Sequence, residues 1–259
     1  MTGPTTPGGG LTNWWTSKVP PFFWRPVTKT AARPAQGSPG MLYLRSYLCM
    51  RTIIGALGVL LPPLVILSAR YLLSESSHFP RTSVSDYYYS GAREIFTDTL
   101  AATGVFFVAY KIFEANAENF LSILAGLGAI TISLFPTGKD AFEQTIPSNG
   151  TQNLIGVGNA SDVHYGASIV FLVSLTLISV CFGFRERGRT KRAGQRVGPT
   201  GWSIFHWACS AAMAVALIGV LVMSWKYALL AGEIVCACAF GASWFAKGSE
   251  INPLIHGKP

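Results

Sequence analysis

Charge is scarce in this chain: only 12% of its 259 residues are Asp, Glu, Lys or Arg, where a soluble domain carries about a quarter. Half of the residues are hydrophobic. That balance excludes an ordinary soluble globule. It also excludes a disordered chain, which needs low hydrophobicity and high charge. Cysteine is sparse as well, and five in this length make no disulfide framework. Cys49, Cys181, Cys209, Cys236 and Cys238 lie in or beside apolar runs, where cysteine serves as a small apolar residue. No apolar h-region follows the N-terminus, so no signal peptide is read there. Phosphate-binding glycine loops, Walker motifs and haem ligand pairs are missing. The four histidines (His78, His164, His206, His256) form no His-x-x-x-His pair, and two fall on the side opposite the others, so a three-histidine catalytic zinc site cannot be assembled. No metal, cofactor or catalytic residue is expected.

Present instead are six apolar segments near the length of about 20 residues that crosses a bilayer: Ile53–Leu73, Ile95–Phe113, Phe120–Phe135, Tyr165–Phe184, Ile204–Trp225 and Tyr227–Ala246. Backbone groups in lipid must be satisfied within the segment, so these are helices. The second is the least apolar, with Thr97, Asp98, Thr99 and Thr103, and Pro136 stops the third. The expected fold is all-α, a six-transmembrane-helix bundle over residues 46–248. A Pro/Gly-rich basic tail (1–45) precedes it and a short tail (249–259) follows. The aromatic and basic stretch Trp14–Lys29 suits either the headgroup layer or a disordered tail with a few aromatics.

The net charge of +8 is confined to the tail and one loop and follows membrane orientation, which excludes a nucleic-acid partner. Six basic residues precede or include Arg51 and six more lie in Arg185–Gly198; with Lys111, Lys247 and Lys258, one side holds fifteen of the twenty. The other holds Arg70, Arg81, Arg93, Lys139 and Lys226. The positive-inside rule makes the richer side cytoplasmic, with both termini there, and the plasma membrane is the expected location. The outer loops are then Ser74–Glu94 and Thr137–His164, both expected to be exposed; the second carries two glycosylation triplets, at Asn149 and Asn159.

Helices in a bilayer associate through close backbone approach and polar contacts. Ser122, Gly126, Ala129 and Ser133 form one small-residue face on the third span, and Ala208–Ala216 is small-residue-rich in the fifth. Gly232 and Gly241 lie in the sixth; the first carries Gly55, Gly58 and a kinking Pro62-Pro63. These read as packing.

One polar constellation gathers in the outer half of the membrane: Asp86 beside the Tyr87–Tyr89 triplet, Arg93, Asp98 about a turn inside the second span, His164 opening the fourth, and Glu233 six residues into the sixth. Ionisable groups in a bilayer cost about 2.5–3.5 kcal/mol each and should face the bundle interior. Glu233 has no neutralising group at i±3 or i±4, so Arg93, His164 or a polar side chain of another span is its expected partner. Two accounts stay open. The five residues line an outward-facing pocket for a lipid headgroup, a small solute or a proton, or they are hydrogen bonds and ion pairs fixing the bundle. A lipid-modifying enzyme with an outer-leaflet site is the alternative function; only His164 could serve there as base near Ser85, and no motif supports it.

The runs Ser83–Tyr89 and Arg93–Phe96, with Leu134–Thr137, His164, and Phe240–Trp244 followed by Lys247-Gly248, resemble a group of six-span integral membrane proteins, mostly bacterial and of unestablished function. The resemblance covers about residues 42–248. In that group an Asp commonly follows the Arg, and here Glu94 takes its place. The resemblance implies a fold and a compartment, and no reaction.

Overall fold

The computed structural model describes residues 39–72, 79–109, 117–140, 143–192 and 201–249. Among these every sustained element is helical and none is a strand. Helix α1 (Pro39–Leu67) passes through Pro62-Pro63 and ends in a π-helical turn, Ser68–Leu72. A short 3-10 turn (Ser85–Tyr89) leads into α2 (Arg93–Ala109), followed by α3 (Ala117–Leu134) and a second 3-10 turn (Glu143–Thr145). Then come α4 (Gly150–Ile155), α5 (Val157–Arg192), α6 (Gly201–Val222) and α7 (Ala228–Ser249).

Five helical stretches are long and apolar enough to cross a membrane: Leu48–Tyr71, Ala117–Leu134, Val157–Gly188, Gly201–Val222 and Ala228–Gly248. α2 is not among them. Its seventeen described residues include Thr97, Asp98, Thr99 and Thr103, and the Tyr110–Phe113 part of the expected second span lies outside the described residues. Two helices run well beyond their expected spans. α1 starts at Pro39, inside the stretch read as tail, because proline is tolerated in a first turn and no breaker follows Gly40 until Gly55. α5 outruns its apolar core at both ends, since the polar residues flanking that core are also compatible with helix. The aromatic stretch Trp14–Lys29 lies outside the described residues.

The six long helices form a ring in chain order. Each of α1, α2, α3, α5, α6 and α7 touches the next, and the most extensive contact of all joins α7 back to α1. Small residues make this closeness feasible. A Cβ on Gly126 would lie 2.7 Å from the Gly104 carbonyl oxygen, and one on Gly104 would lie 2.7 Å from that of Gly126. The small-residue face of α3 is buried throughout, at Ser122, Gly126, Ala129 and Ser133. Ser122 Oγ also donates to the Phe107 carbonyl of α2 at 2.8 Å.

Apolar packing falls into two clusters. One, toward the end of the bundle carrying residues 79–92, joins Val65, Tyr87, Phe96, Leu100, Ile132 and Leu230. The other, deeper, joins Ile54, Phe107, Phe182, Met213, Phe240 and Trp244.

Candidate functional site

Residues 79–92, 137–140 and 143–156 lie in stretches expected as exposed loops; they fold instead into a cap over one end of the ring. Tyr87, Tyr88 and Tyr89 are buried. Tyrosine tolerates this because its ring is apolar and its hydroxyl can find a partner. Tyr89 Oη donates to the Thr137 carbonyl at 2.6 Å and accepts from Gln152 Nε2 at 2.8 Å. Tyr88 Oη accepts from Arg93 Nη2 and Asn149 Nδ2, both at 2.7 Å, and the Arg93 guanidinium lies 4.4 Å from the Tyr88 ring centroid. Arg81 pairs with Glu143 at 2.6 Å and donates to the Tyr89 carbonyl at 3.0 Å. Burial pushes the Tyr89 phenol above its ordinary range. It also raises the Glu143 carboxyl, against the pull of the Asp140 N–H and the Arg81 guanidinium.

Asn149, read as a glycosylation triplet, is a structural residue of this cap. Its side chain accepts from Gln152 N at 2.8 Å and closes a capping box at the start of α4. Asn149→Ala is expected to lower stability by about 1–2 kcal/mol, measured as the thermal unfolding midpoint in detergent; an unchanged midpoint would contradict that role.

Beneath the cap lies a cavity of about 90 Å³. It sits where the two apolar clusters meet, lined from the cap by Val84 and Ser85 and from below by Phe171 and Phe240. Among the described residues that line it, Glu233 is the one with an ionisable side chain. Glu233 Oε2 accepts from Val84 N at 2.5 Å and Oε1 from Ser85 Oγ at 3.1 Å. One turn earlier, Leu230 N donates to the Thr82 carbonyl at 3.0 Å. α7 is thus tied to the cap twice.

The other expected site residues take separate places. His164 is buried, and its Nδ1–H donates to the Phe135 carbonyl at 2.7 Å, joining α5 to the end of α3. Asp86 accepts from Thr82 Oγ1, and its N–H donates to Ser83 Oγ at 2.9 Å, which shapes the cap. Arg93 is exposed against Tyr88. Asp98 is exposed on α2, 3.4 Å from Thr97 Oγ1. Neither Asp86, Arg93, Asp98 nor His164 lines the cavity. Glu233 does turn inward, toward the cap backbone and a serine rather than toward Arg93, His164 or another span.

Compared with protein-family models, curated proteins and solved structures, the chain matches none. What the site can do must be read from its own geometry.

The opposite end of the ring holds a buried ionic cluster that the sequence reading missed. Glu118 on α3 meets Arg51 of α1 at 2.9 Å and Arg185 of α5 at 2.8 Å. Glu186 pairs with Lys247 of α7. His206 Nδ1 and Ser243 Oγ are 2.9 Å apart. The Arg51 guanidinium stacks on Phe182 at 5.1 Å and Trp244 at 5.9 Å. The available signal was Glu186, an acid between Arg185 and Arg187 at the edge of an apolar run, and Glu118 just before the apolar run of α3. Between this cluster and the cavity lies an aromatic stack. Trp244 sits 5.3 Å from Phe240, 5.1 Å from Phe107 and 5.0 Å from Phe182, centroid to centroid. No three His, Cys, Asp or Glu side chains gather as a metal site among the described residues.

Proposed function

We propose that this is a six-span integral membrane protein of the plasma membrane, with both termini cytoplasmic. In this reading it belongs with the six-span group it resembles and binds a small solute, without chemistry, beneath its outer cap. The observation that carries the reading is Glu233: a carboxylate on the wall of an otherwise non-ionisable cavity, oriented by a cap segment on one side and closed off by aromatics on the other. Polar and ionisable groups inside a bundle are costly and tend to serve a site. Supporting six spans, α2 packs between α1 and α3 as a full member of the ring. Its seventeen residues rise about 26 Å, close to the hydrocarbon thickness. The aromatic stack favours a binding pocket open to one side over a continuous channel. The alternative, a lipid-modifying enzyme, has less support. His164, the base it would need, does not line the cavity, and about 90 Å³ is smaller than the roughly 150 Å³ that holds a benzene molecule.

Single cysteines test this in a background lacking the native five. In sealed membranes, Ser148→Cys is expected to react with a small impermeant thiol reagent from outside and Gly194→Cys only from inside. Ser168 lines the cavity, and Ser168→Cys is expected to react from outside, because the thiolate that reacts forms only where water reaches. Reaction of both Ser148→Cys and Gly194→Cys from outside would sink the topology. Silence at Ser168→Cys from outside would sink the outward-facing pocket.

A further inference from the structure

The polar atoms of the cavity share a property that narrows the solute. Three hydroxyls line it, from Ser85, Thr103 and Ser168. Each has a single proton, and each proton is already placed. Ser85 Oγ donates to Glu233 Oε1 at 3.1 Å, Thr103 Oγ1 to the Thr99 carbonyl at 2.7 Å, and Ser168 Oγ to the His164 carbonyl at 2.8 Å. Only lone pairs remain on them. Glu233 adds carboxylate lone pairs, of which the Val84 N–H and the Ser85 hydroxyl use part. Gly58 and Pro62 of α1 also line the cavity. Proline has no N–H, so Pro62 sends no helical hydrogen bond back to the Gly58 carbonyl. Among the described residues, no Lys, Arg, His, Asn, Gln, Trp or Tyr side chain is in the lining to donate. Once Glu233 is ionised, the polar side chains of this cavity offer acceptors, all of them oxygen, and one negative charge.

An ionised carboxylate among apolar walls is costly: it either takes up a proton or needs another positive charge beside it. The cap's N–H and hydroxyl contribute dipoles and no net charge, and the lining holds no basic side chain. Resting on the pocket reading above, we infer that the cavity binds a small monovalent alkali cation, with Glu233 as its counter-charge and the serine and threonine oxygens as neutral ligands. Hard oxygen donors select hard cations. A single carboxylate balances a single charge, whereas a divalent ion would leave an uncompensated positive charge in the bundle. Size agrees. About 90 Å³ leaves room for an ion with waters beside it. Intramembrane carboxylates are also groups that membrane bundles place along ion pathways.

The test is equilibrium binding of radioactive sodium ion to the purified full chain in detergent, in buffer whose only other cation is N-methylglucamine. Wild type is expected to bind one sodium ion per chain, saturably and in competition with unlabelled sodium. Glu233→Gln is expected to lose that binding. Thr103→Val and Ser168→Ala, each removing one oxygen, are expected to weaken it by about tenfold. Glu94→Gln, which removes an exposed acid from α2, is expected to leave it unchanged. The inference is overturned if wild type shows no saturable uptake of sodium or potassium ion, or if folded Glu233→Gln binds as wild type does. Where Glu233→Gln does not fold, unchanged affinity in both Thr103→Val and Ser168→Ala overturns it. Outside labelling at Ser168→Cys without ion binding would remove this inference alone, while silence there removes the pocket as well.

Discussion

Glu118→Ala is expected to destabilise the bundle severely. The glutamate is 3% exposed and holds Arg51, itself 4% exposed, against the faces of Phe182 and Trp244. Removing the carboxylate leaves a guanidinium buried among aromatics and frees Arg185 of its partner at the same time. Breaking a buried pair from one side costs about 3–5 kcal/mol, because the surviving charge stays desolvated. That is a large share of the 5–15 kcal/mol that holds a typical domain together. Size-exclusion chromatography after mild solubilisation, with thermal unfolding of the monodisperse fraction, gives the readout. Normal elution and an unchanged midpoint would show that the cluster carries no such load. The double substitution Arg51→Met with Glu118→Leu is expected to recover most of the loss, since a packed apolar pair can match a buried ion pair. Failure of the double variant with success of the single one would reverse the argument.

Gly241→Leu is expected to have an effect of similar size by a different route. A Cβ there would stand 2.7 Å from both the Gly55 carbonyl oxygen and Val59 N, and a Cβ on Gly55 would stand 2.5 Å from Phe245 N. These neighbours are backbone atoms, so no rotamer change relieves the clash and the two helices must move apart. Overpacking costs about 1–3 kcal/mol and occasionally more. Lipid supplies no hydrophobic drive to push separated helices back together. Gly166→Ala is the matched control. Nothing lies within 4 Å of a Cβ at Gly166, and alanine is the better helix former by about 1 kcal/mol. Thermal unfolding of both variants separates the two outcomes; equal midpoints would mean that the α1–α7 seam tolerates a side chain.

Helix placement was largely legible because it depends on local pattern. A run of about 20 apolar residues is helical whatever it packs on, and Pro136 stops α3 just as it would stop any helix. The buried face of α3 was legible for the same reason: Ser122, Gly126, Ala129 and Ser133 recur at helical spacing. The cap was not. Its tyrosines look the same in sequence whether they lie at a membrane surface or fold inward, and what buries them is supplied from distant residues, Thr137, Asn149 and Gln152. Asp98 and Glu233 show the limit most plainly. Each is an acid in the first two turns of its helix, yet Asp98 faces outward and Glu233 inward. Their orientation follows from which helix stands on either side in the ring, and periodicity within one segment cannot report that. The Arg51–Glu118 pair spans 67 positions and was hidden for the same reason.

The closure of the ring by α1 and α7 has a consequence for biosynthesis. Membrane helices leave the ribosome in sequence order, so of the described helices α1 waits for the last one before its largest contact can form. Until then Gly55 and Gly58 have no α7 backbone to meet, Arg51 has no Trp244 to stack on, and Val84 and Ser85 have no carboxylate to hold. Each of these groups is polar, or leaves backbone bare, where α7 will later cover it. A chain stalled before α7 would therefore display at the level of the bilayer the features by which quality-control proteases and chaperones recognise unfinished membrane proteins, and arrival of that one helix would hide them all together.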